Sequence, residues 1–226
     1  MDLEEALASL KAQLLPITEV EHCALQHCRG RVLAKPVTAK LSLPPFRASA
    51  MDGYAIQAGK HDQLLTVIGE SLAGHPFKGD IGPKECVRIF TGALVPANAG
   101  QIILQEEVAE REGNQVRFNA HTPSESYIRP IGNDLKLGSQ IADQGDVLNP
   151  FLMGSLSSAG VSSVEVFRRP VIGVFSSGDE LRDPGVGVKD LLEGQIYDSN
   201  RLTVMQLLAT MPVEVRDLGR LADEAN

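Results

Sequence analysis

Asp52 sits in Pro45-Phe46-Arg47-Ala48-Ser49-Ala50-Met51-Asp52-Gly53-Tyr54-Ala55, a carboxylate at the tip of a glycine turn with Ser49 and Tyr54 flanking it. Such a group can hold a metal ion or orient a polar ligand. The plainer account is that Asp-Gly closes a hairpin. Ile89-Phe90-Thr91-Gly92-Ala93-Leu94-Val95-Pro96 ends a strand and begins a turn. There the Thr91 hydroxyl and free amides could meet phosphate or an oxyanion, or form a turn with no ligand. Glu106 and Glu107 follow in QIILQEEVAE; on a strand only one of them can face a given cleft, and a solvated acidic face accounts for both. In Tyr127-Ile128-Arg129-Pro130-Ile131-Gly132-Asn133-Asp134, Arg129 offers a planar fork for phosphate or carboxylate and Asp134 could hold a metal or its water. Equally, the two could pair with each other across the turn.

Phe175-Ser176-Ser177-Gly178-Asp179-Glu180-Leu181 has the strongest chemical case. It follows an apolar strand, and ligands of open α/β sheets bind at the carboxyl ends of strands. Gly178 allows close backbone approach, and two acids follow; a polar loop capped by Asp179 is the alternative. Ile196-Tyr197-Asp198-Ser199-Asn200-Arg201 lies at a helix start, where free amides favour anions. Asp198 also reads as an ordinary cap, and Asn200 could read a hydroxyl or a base edge. His22-Cys23 and His27-Cys28 resemble metal-ligand pairs, but no partner pair occurs elsewhere to complete four ligands. VPANAG lacks the Lys-Ser/Thr of a phosphate-binding loop. There is no CxxC, and no serine nucleophile elbow. Acids in turns therefore favour magnesium-assisted phosphate chemistry over acyl transfer.

The elements that must position these residues are short. Leu3, Leu7, Leu10 and Leu14 recur at helical spacing, with Asp2 and Glu5 placed as a capping box and Pro16 limiting the end. TEVEHCALQHCRG reads as a second helical stretch from Thr18 to Gly30, which would bring Cys23 and His27 onto one face. RVLAKPVTA reads as a strand bent at Pro36. From Leu64 to Phe118 the runs LLTVIGE, CVRIFTG, QIILQEEVAE and NQVRFNA suggest a small β barrel or sandwich. FLMGSLSSAGVSSVEVF reads as a helix ended by Gly160, then a strand. VIGVFSS is a continuous apolar run expected to be buried on both faces. With the helix YDSNRLTVMQLLATM and the run VEVRDLG it makes the opening of a doubly wound α/β domain.

Composition narrows the function class. The 226 residues are 43% hydrophobic and 22% charged, which excludes a disordered tail, a coiled coil and a collagen-like fibre. A formal net charge of −8 argues against nucleic acid as a partner. Three cysteines, an odd number, suit reduced thiols rather than a secreted disulfide framework. The acidic N-terminus is unlike a signal peptide, and no apolar run reaches the roughly 20 residues of a membrane span. A cytoplasmic protein without membrane partners is expected.

LPPFRASAMDGYAI, RIFTGALVP, ILQEEV, YIRPIGNDLKLG, GVFSSGDEL and GQIYDSNRL occur in one order. Together they resemble the molybdopterin molybdenumtransferase family, whose eukaryotic relative is the gephyrin E domain, from about Leu3 to the last residue. The resemblance implies magnesium-dependent insertion of molybdate into adenylylated molybdopterin with release of AMP. It implies an elongated homodimer, with molybdopterin adenylyltransferase and molybdoenzyme maturation factors as partners. By motif, Asp52, Thr91, Asp134 and Glu180 match catalytic positions. Ser176, Ser177, Gly178 and Asp179 match the cofactor-binding loop, and Asp198 and Asn200 its nucleotide end. Glu180 and Asp223 match metal positions.

The fold implied is multidomain α+β and α/β. Residues 1–45 with 138–168 would form an elongated linker and dimerisation region, 46–137 a β barrel-like domain, and 169–226 an incomplete α/β molybdopterin-binding domain. Asn133 stands where many relatives carry an acid, and Met211-Pro212 replaces a Gly-containing link. The family's GGxS-type loop, its Lys-containing pterin segment, its Pro-Gly-Asn-Pro loop and its final β region do not occur in the chain. This suggests the N-terminal portion of such an enzyme, with little activity alone and loosely held residues after Arg169. A non-catalytic dimeric scaffold of the gephyrin type is the competing reading. A different nucleotide or pterin enzyme sharing only the α/β domain would not account for the MDGY and TGA turns.

Overall fold

The structure is a computed structural model that describes residues 2–59, 64–119 and 126–221. In chain order its elements begin with helix α1 (Leu3–Gln13), β1 (Val20–Ala24), β2 (Val37–Thr38), β3 (Ala48–Ser49) and β4 (Gly53–Ile56). There follow β5 (Leu65–Ser71), β6 (Glu85–Ile89), β7 (Gln101–Leu104), β8 (Val108–Glu112), β9 (Gln115–Phe118), β10 (Ile128–Arg129) and β11 (Gln140–Ala142). The last are α2 (Pro150–Ser158), β12 (Ser163–Phe167), β13 (Val171–Ser177), β14 (Leu181–Arg182), β15 (Ile196–Tyr197), α3 (Asn200–Leu208) and β16 (Glu214–Leu221). The chain divides into two compact units, Thr38–Gln140 with Ser158–Gly160, and Met1–Val37 with Ile141–Ser157 and Val161–Asn226.

The first of these units is organised by one six-stranded sheet in the order β7-β4-β6-β5-β9-β8. It curls as a half-barrel and stays open, with β7 and β8 at its edges. Neighbours are antiparallel except β5 and β6. Alternation along its central strands splits the apolar residues between two cores. Tyr54, Ile56, Cys86 and Ile103 join one cluster, while Ala55, Val87, Ile89 and Ile102 join the other. That is why all four residues of β4 are buried. Glu106 and Glu107 fall in a 3-10 turn rather than on a strand, so the alternation argument does not apply to them.

In the other unit, α1 has the capping box its sequence implies: Glu5 N–H donates to Asp2 Oδ1 at 2.8 Å, and Asp2 N–H donates to Glu5 Oε2 at 3.0 Å. None of its residues is buried, and Leu3 and Leu14 are each 74% exposed. The stretch expected as a second helix is β1 followed by a 3-10 turn over Leu25–His27. Pairing with β12 along Val20↔Phe167 to Ala24↔Ser163 outweighs a weak helical pattern. The turn drops Leu25 and Cys28 into a core with Leu33, Leu148, Leu156 and Val166. Cys23 and His27 therefore share no helix face. Helix α2 ends before Gly160, whose φ is +82°.

Strands β13 and β16 pair in parallel, and α3 precedes β16 in the crossover between them. The expectation that VIGVFSS is buried on both faces is overturned: only Val174 is buried, and Phe175 is 53% exposed. Among the described residues each of these strands has one strand neighbour, and α3 itself buries no residue. No helix among the described residues is long and apolar enough to cross a membrane.

Candidate functional site

The turn carrying Asp52 is built from both ends. Ser49 in β3 pairs with Ile128 in β10. Ser49 N–H donates to Ala93 O at 2.9 Å, and Gly92 N–H returns a bond to Ser49 O at 2.8 Å. This exchange lays the turn after β6 against the turn after β3. Asp52 Oδ1 then accepts two hydrogen bonds of 2.7 Å, from the Thr91 N–H and the Thr91 hydroxyl. Oδ2 takes no hydrogen bond among the described residues. The Thr91 N–H first, then its hydroxyl, hold the Asp52 carboxyl below the usual aspartate range, with help from the nearby Arg88 charge.

The hairpin account of Asp52-Gly53 fails, because β3 and β4 do not pair with each other. Nor does Gly53 adopt a left-handed φ. It is needed because β7 runs against it: a Cβ there would lie 2.0 Å from Ile103 O.

Arg129 forms an ion pair with Asp134, and Asn133 Nδ2 donates to Asp134 Oδ1 at 3.0 Å. Those bonds, Arg129's first, pull the Asp134 carboxyl down. Asn133, the residue that departs from the family acid, thus serves Asp134 as a donor. Asp52, Thr91, Arg129 and Asp134 all belong to the sheet unit.

In the other unit the loop after β13 turns at Gly178, a buried residue with φ +140°. Glu180 folds back over it, its Oε2 2.5 Å from where a Cβ would stand, while Arg220 Nη1 donates to Gly178 O at 3.1 Å. Asp179 and Glu180 are exposed. Ser176, Ser177, Asp198 and Asn200 line a cavity of about 310 Å³ with Phe175 and Tyr197. Gly178, Asp179 and Glu180 lie outside its lining.

Asp198 is only 4% exposed. Its Oδ1 accepts the Arg201 N–H at 3.1 Å, a cap given from one residue before the formal cap Ser199. Its Oδ2 lies 3.4 Å from Arg201 Nε. Ser176 Oγ and Asp198 Oδ2 are sealed from solvent without a well-formed hydrogen bond. The closeness of the Ser176 hydroxyl, then the Arg201 N–H, still lowers the Asp198 carboxyl. Asp223 lies outside the described residues.

Two arginines escaped the sequence reading of roles. Arg201, with 12% of its side chain exposed, pairs with Asp183, Asp198 and Asp217. Arg88 in β6 stacks on Tyr54 and Phe90 with centroid distances of 5.0 and 4.7 Å. The signal for Arg88 is a lone charge inside the apolar run CVRIF: a guanidinium there must be stacked or paired.

His22 is exposed on β1 beside Glu165, and Cys28 is buried with its thiol donating to Ala24 O at 3.1 Å. Burial pushes the Cys28 and Cys86 thiols up to about 12. Among the described residues no three His, Cys, Asp or Glu gather where they could hold a metal ion.

A family described as the MoeA N-terminal region (domain I and II) matches residues 1–160. A molybdopterin molybdenumtransferase of Haemophilus influenzae is 39% identical over 225 residues, covering 99% of this chain and 55% of that protein. A gephyrin of Dictyostelium discoideum is 30% identical, covering 84% of this chain and 29% of that protein. The crystal structure of a molybdopterin biosynthesis moeA protein from Pyrococcus horikoshii OT3 superposes with a TM-score of 0.81 at 31% identity, over 98% of this chain and 60% of that one. The chain spans about half the length of the curated relatives it matches.

Proposed function

Because the chain belongs to the MoeA N-terminal region family, we propose that it serves molybdenum cofactor biosynthesis as part of a molybdopterin molybdenumtransferase. The reaction is insertion of molybdate into adenylylated molybdopterin with release of AMP. The observation that carries this reading is the Asp52 carboxylate. It lies within the matched region, it is fixed through Oδ1 by both donors of Thr91, and it keeps Oδ2 free of hydrogen bonds among the described residues.

In this reading Asp52, Thr91, Asp134 and Glu180 are the catalytic residues. Ser176, Ser177, Gly178, Asp179, Asp198 and Asn200 bind the adenylylated pterin. Molybdate is a dianion and the pterin carries phosphate, so their approach is opposed by like charge. Magnesium is the cation the reading calls for, with Glu180 and Asp223 assigned to it. The described residues do not themselves gather a metal-binding group. The parallel pair β13 and β16 with α3 would be the opening of a doubly wound sheet. A homodimer, cytoplasmic placement, and exchange with an adenylyltransferase and maturation factors complete the proposal, as does the division at 1–45 with 138–168, 46–137 and 169–226.

The test joins this chain to the C-terminal remainder of the Haemophilus influenzae relative and supplies adenylylated molybdopterin, molybdate and magnesium. AMP release is expected from the fusion, is lost on chelation, and falls about 10²-fold in Glu180→Gln. No AMP release from the fusion would overturn the reading. The competing reading is a non-catalytic dimeric scaffold of the gephyrin type. A fusion that dimerises but releases no AMP would support that alternative.

A further inference from the structure

We propose that Arg88 is the positioning residue for Asp52, holding the two peptide carbonyls that follow its Cα so that the Asp52 carboxylate meets Thr91. Its catalytic meaning rests on the function proposed above. Arg88 Nη1 donates to Gly53 O at 2.9 Å, on the carboxyl side of Asp52. Nη2 donates to Gln105 Oε1, and the Gln105 N–H donates to Asp52 O at 3.2 Å. One guanidinium thus reaches the two consecutive peptide carbonyls that follow the Asp52 Cα, Gly53 O directly and Asp52 O through Gln105.

The fork is itself immobilised. Tyr54, opposite Arg88 in the β4–β6 register, and Phe90, two residues on and just past the end of β6, both lie against the guanidinium. Tyr54 is in turn packed on Phe118 at 5.5 Å between ring centroids. Phe90 immediately precedes Thr91, so the residue that stacks on Arg88 also delivers the two donors to Asp52. Arg88 therefore joins the strand that supplies Thr91 to the turn that supplies Asp52. Lysine keeps the charge but neither the planar fork nor the stack, which separates positioning from electrostatics.

The experiment uses the full 226-residue chain with Arg88→Lys and Arg88→Met. Amide hydrogen exchange is read at Thr91, and the Asp52 carboxyl is titrated by NMR. Both variants are expected to speed Thr91 exchange about tenfold or more while amides of β5 and β9 keep their protection. The Asp52 midpoint is expected to rise in Arg88→Met and to rise less in Arg88→Lys. Unchanged Thr91 exchange in both variants would overturn the proposal. So would full rescue by lysine, which would leave charge alone as the role, and so would global loss of protection in both, which would make Arg88 a folding residue. Neither readout needs the transfer reaction. A failed AMP-release assay leaves this geometry standing, and a failure here leaves the family reading standing.

Discussion

Gly53→Ala is expected to destabilise the sheet unit by about 3 kcal/mol or more. The added methyl would stand 2.0 Å from Ile103 O and 2.9 Å from Ile103 C, both backbone atoms of β7. No rotamer change relieves a clash with main chain. Either β4 or β7 must move, and both are buried on their two faces by the cores around Ile56 and Ile103 and around Ala55 and Ile102. Urea unfolding of the full chain measures the loss. Gly92→Ala is the comparator. Gly92 has φ +80° but nothing within 4 Å of its would-be Cβ, so alanine there costs about 1–2 kcal/mol of backbone strain. Equal costs at the two sites would refute the close-approach account of Gly53.

Asp52→Asn in the fusion is expected to cut AMP release by about 10²-fold or more, with the chain still folded and its unfolding midpoint only slightly lowered. Asparagine keeps an oxygen for the Thr91 N–H and hydroxyl, so the turn survives while the charge is lost. A variant with full rate would remove Asp52 from the chemistry. The acid limb carries a sign that can be checked. The folded Asp52 carboxyl is held low by the two Thr91 donors. Its ionised form therefore contributes stability fully above the unfolded value of about 3.9, and that contribution is lost as pH falls through the lower folded value. Thr91→Val removes the hydroxyl and leaves the N–H, so it should raise the Asp52 midpoint part of the way. NMR titration of the two chains decides this.

The strands from β5 to β9 were legible because Val, Ile and Phe alternate between turn residues. What alternation could not say is that both faces of β4, β6 and β7 would be covered. Ala55 and Ile56 look alike in a sequence pattern, yet they enter different cores. The stretch around Cys23 was misread because its fate is decided by Ser163–Phe167, far along the chain. Asp52 was visible as a chemical candidate, but its partner lies 39 residues away. Nothing local announces that Thr91 would aim two donors at one oxygen. Arg88 and Arg201 show the same limit. An arginine's partners are chosen by tertiary packing, so sequence can flag the charge as out of place without naming what it binds.

The three cysteines have a use unrelated to cofactor chemistry. Cys86 is sealed within the sheet unit, Cys28 within the other, and Cys23 is only half-buried. With both sealed thiols pushed up to about 12, almost none is present as the reactive thiolate while its unit stays closed. A reagent that adds mass to an open thiol therefore marks Cys23 in the intact molecule, Cys28 when one unit opens and Cys86 when the other does. The chain carries its own pair of clocks, one per unit, readable in a single sample without adding a probe.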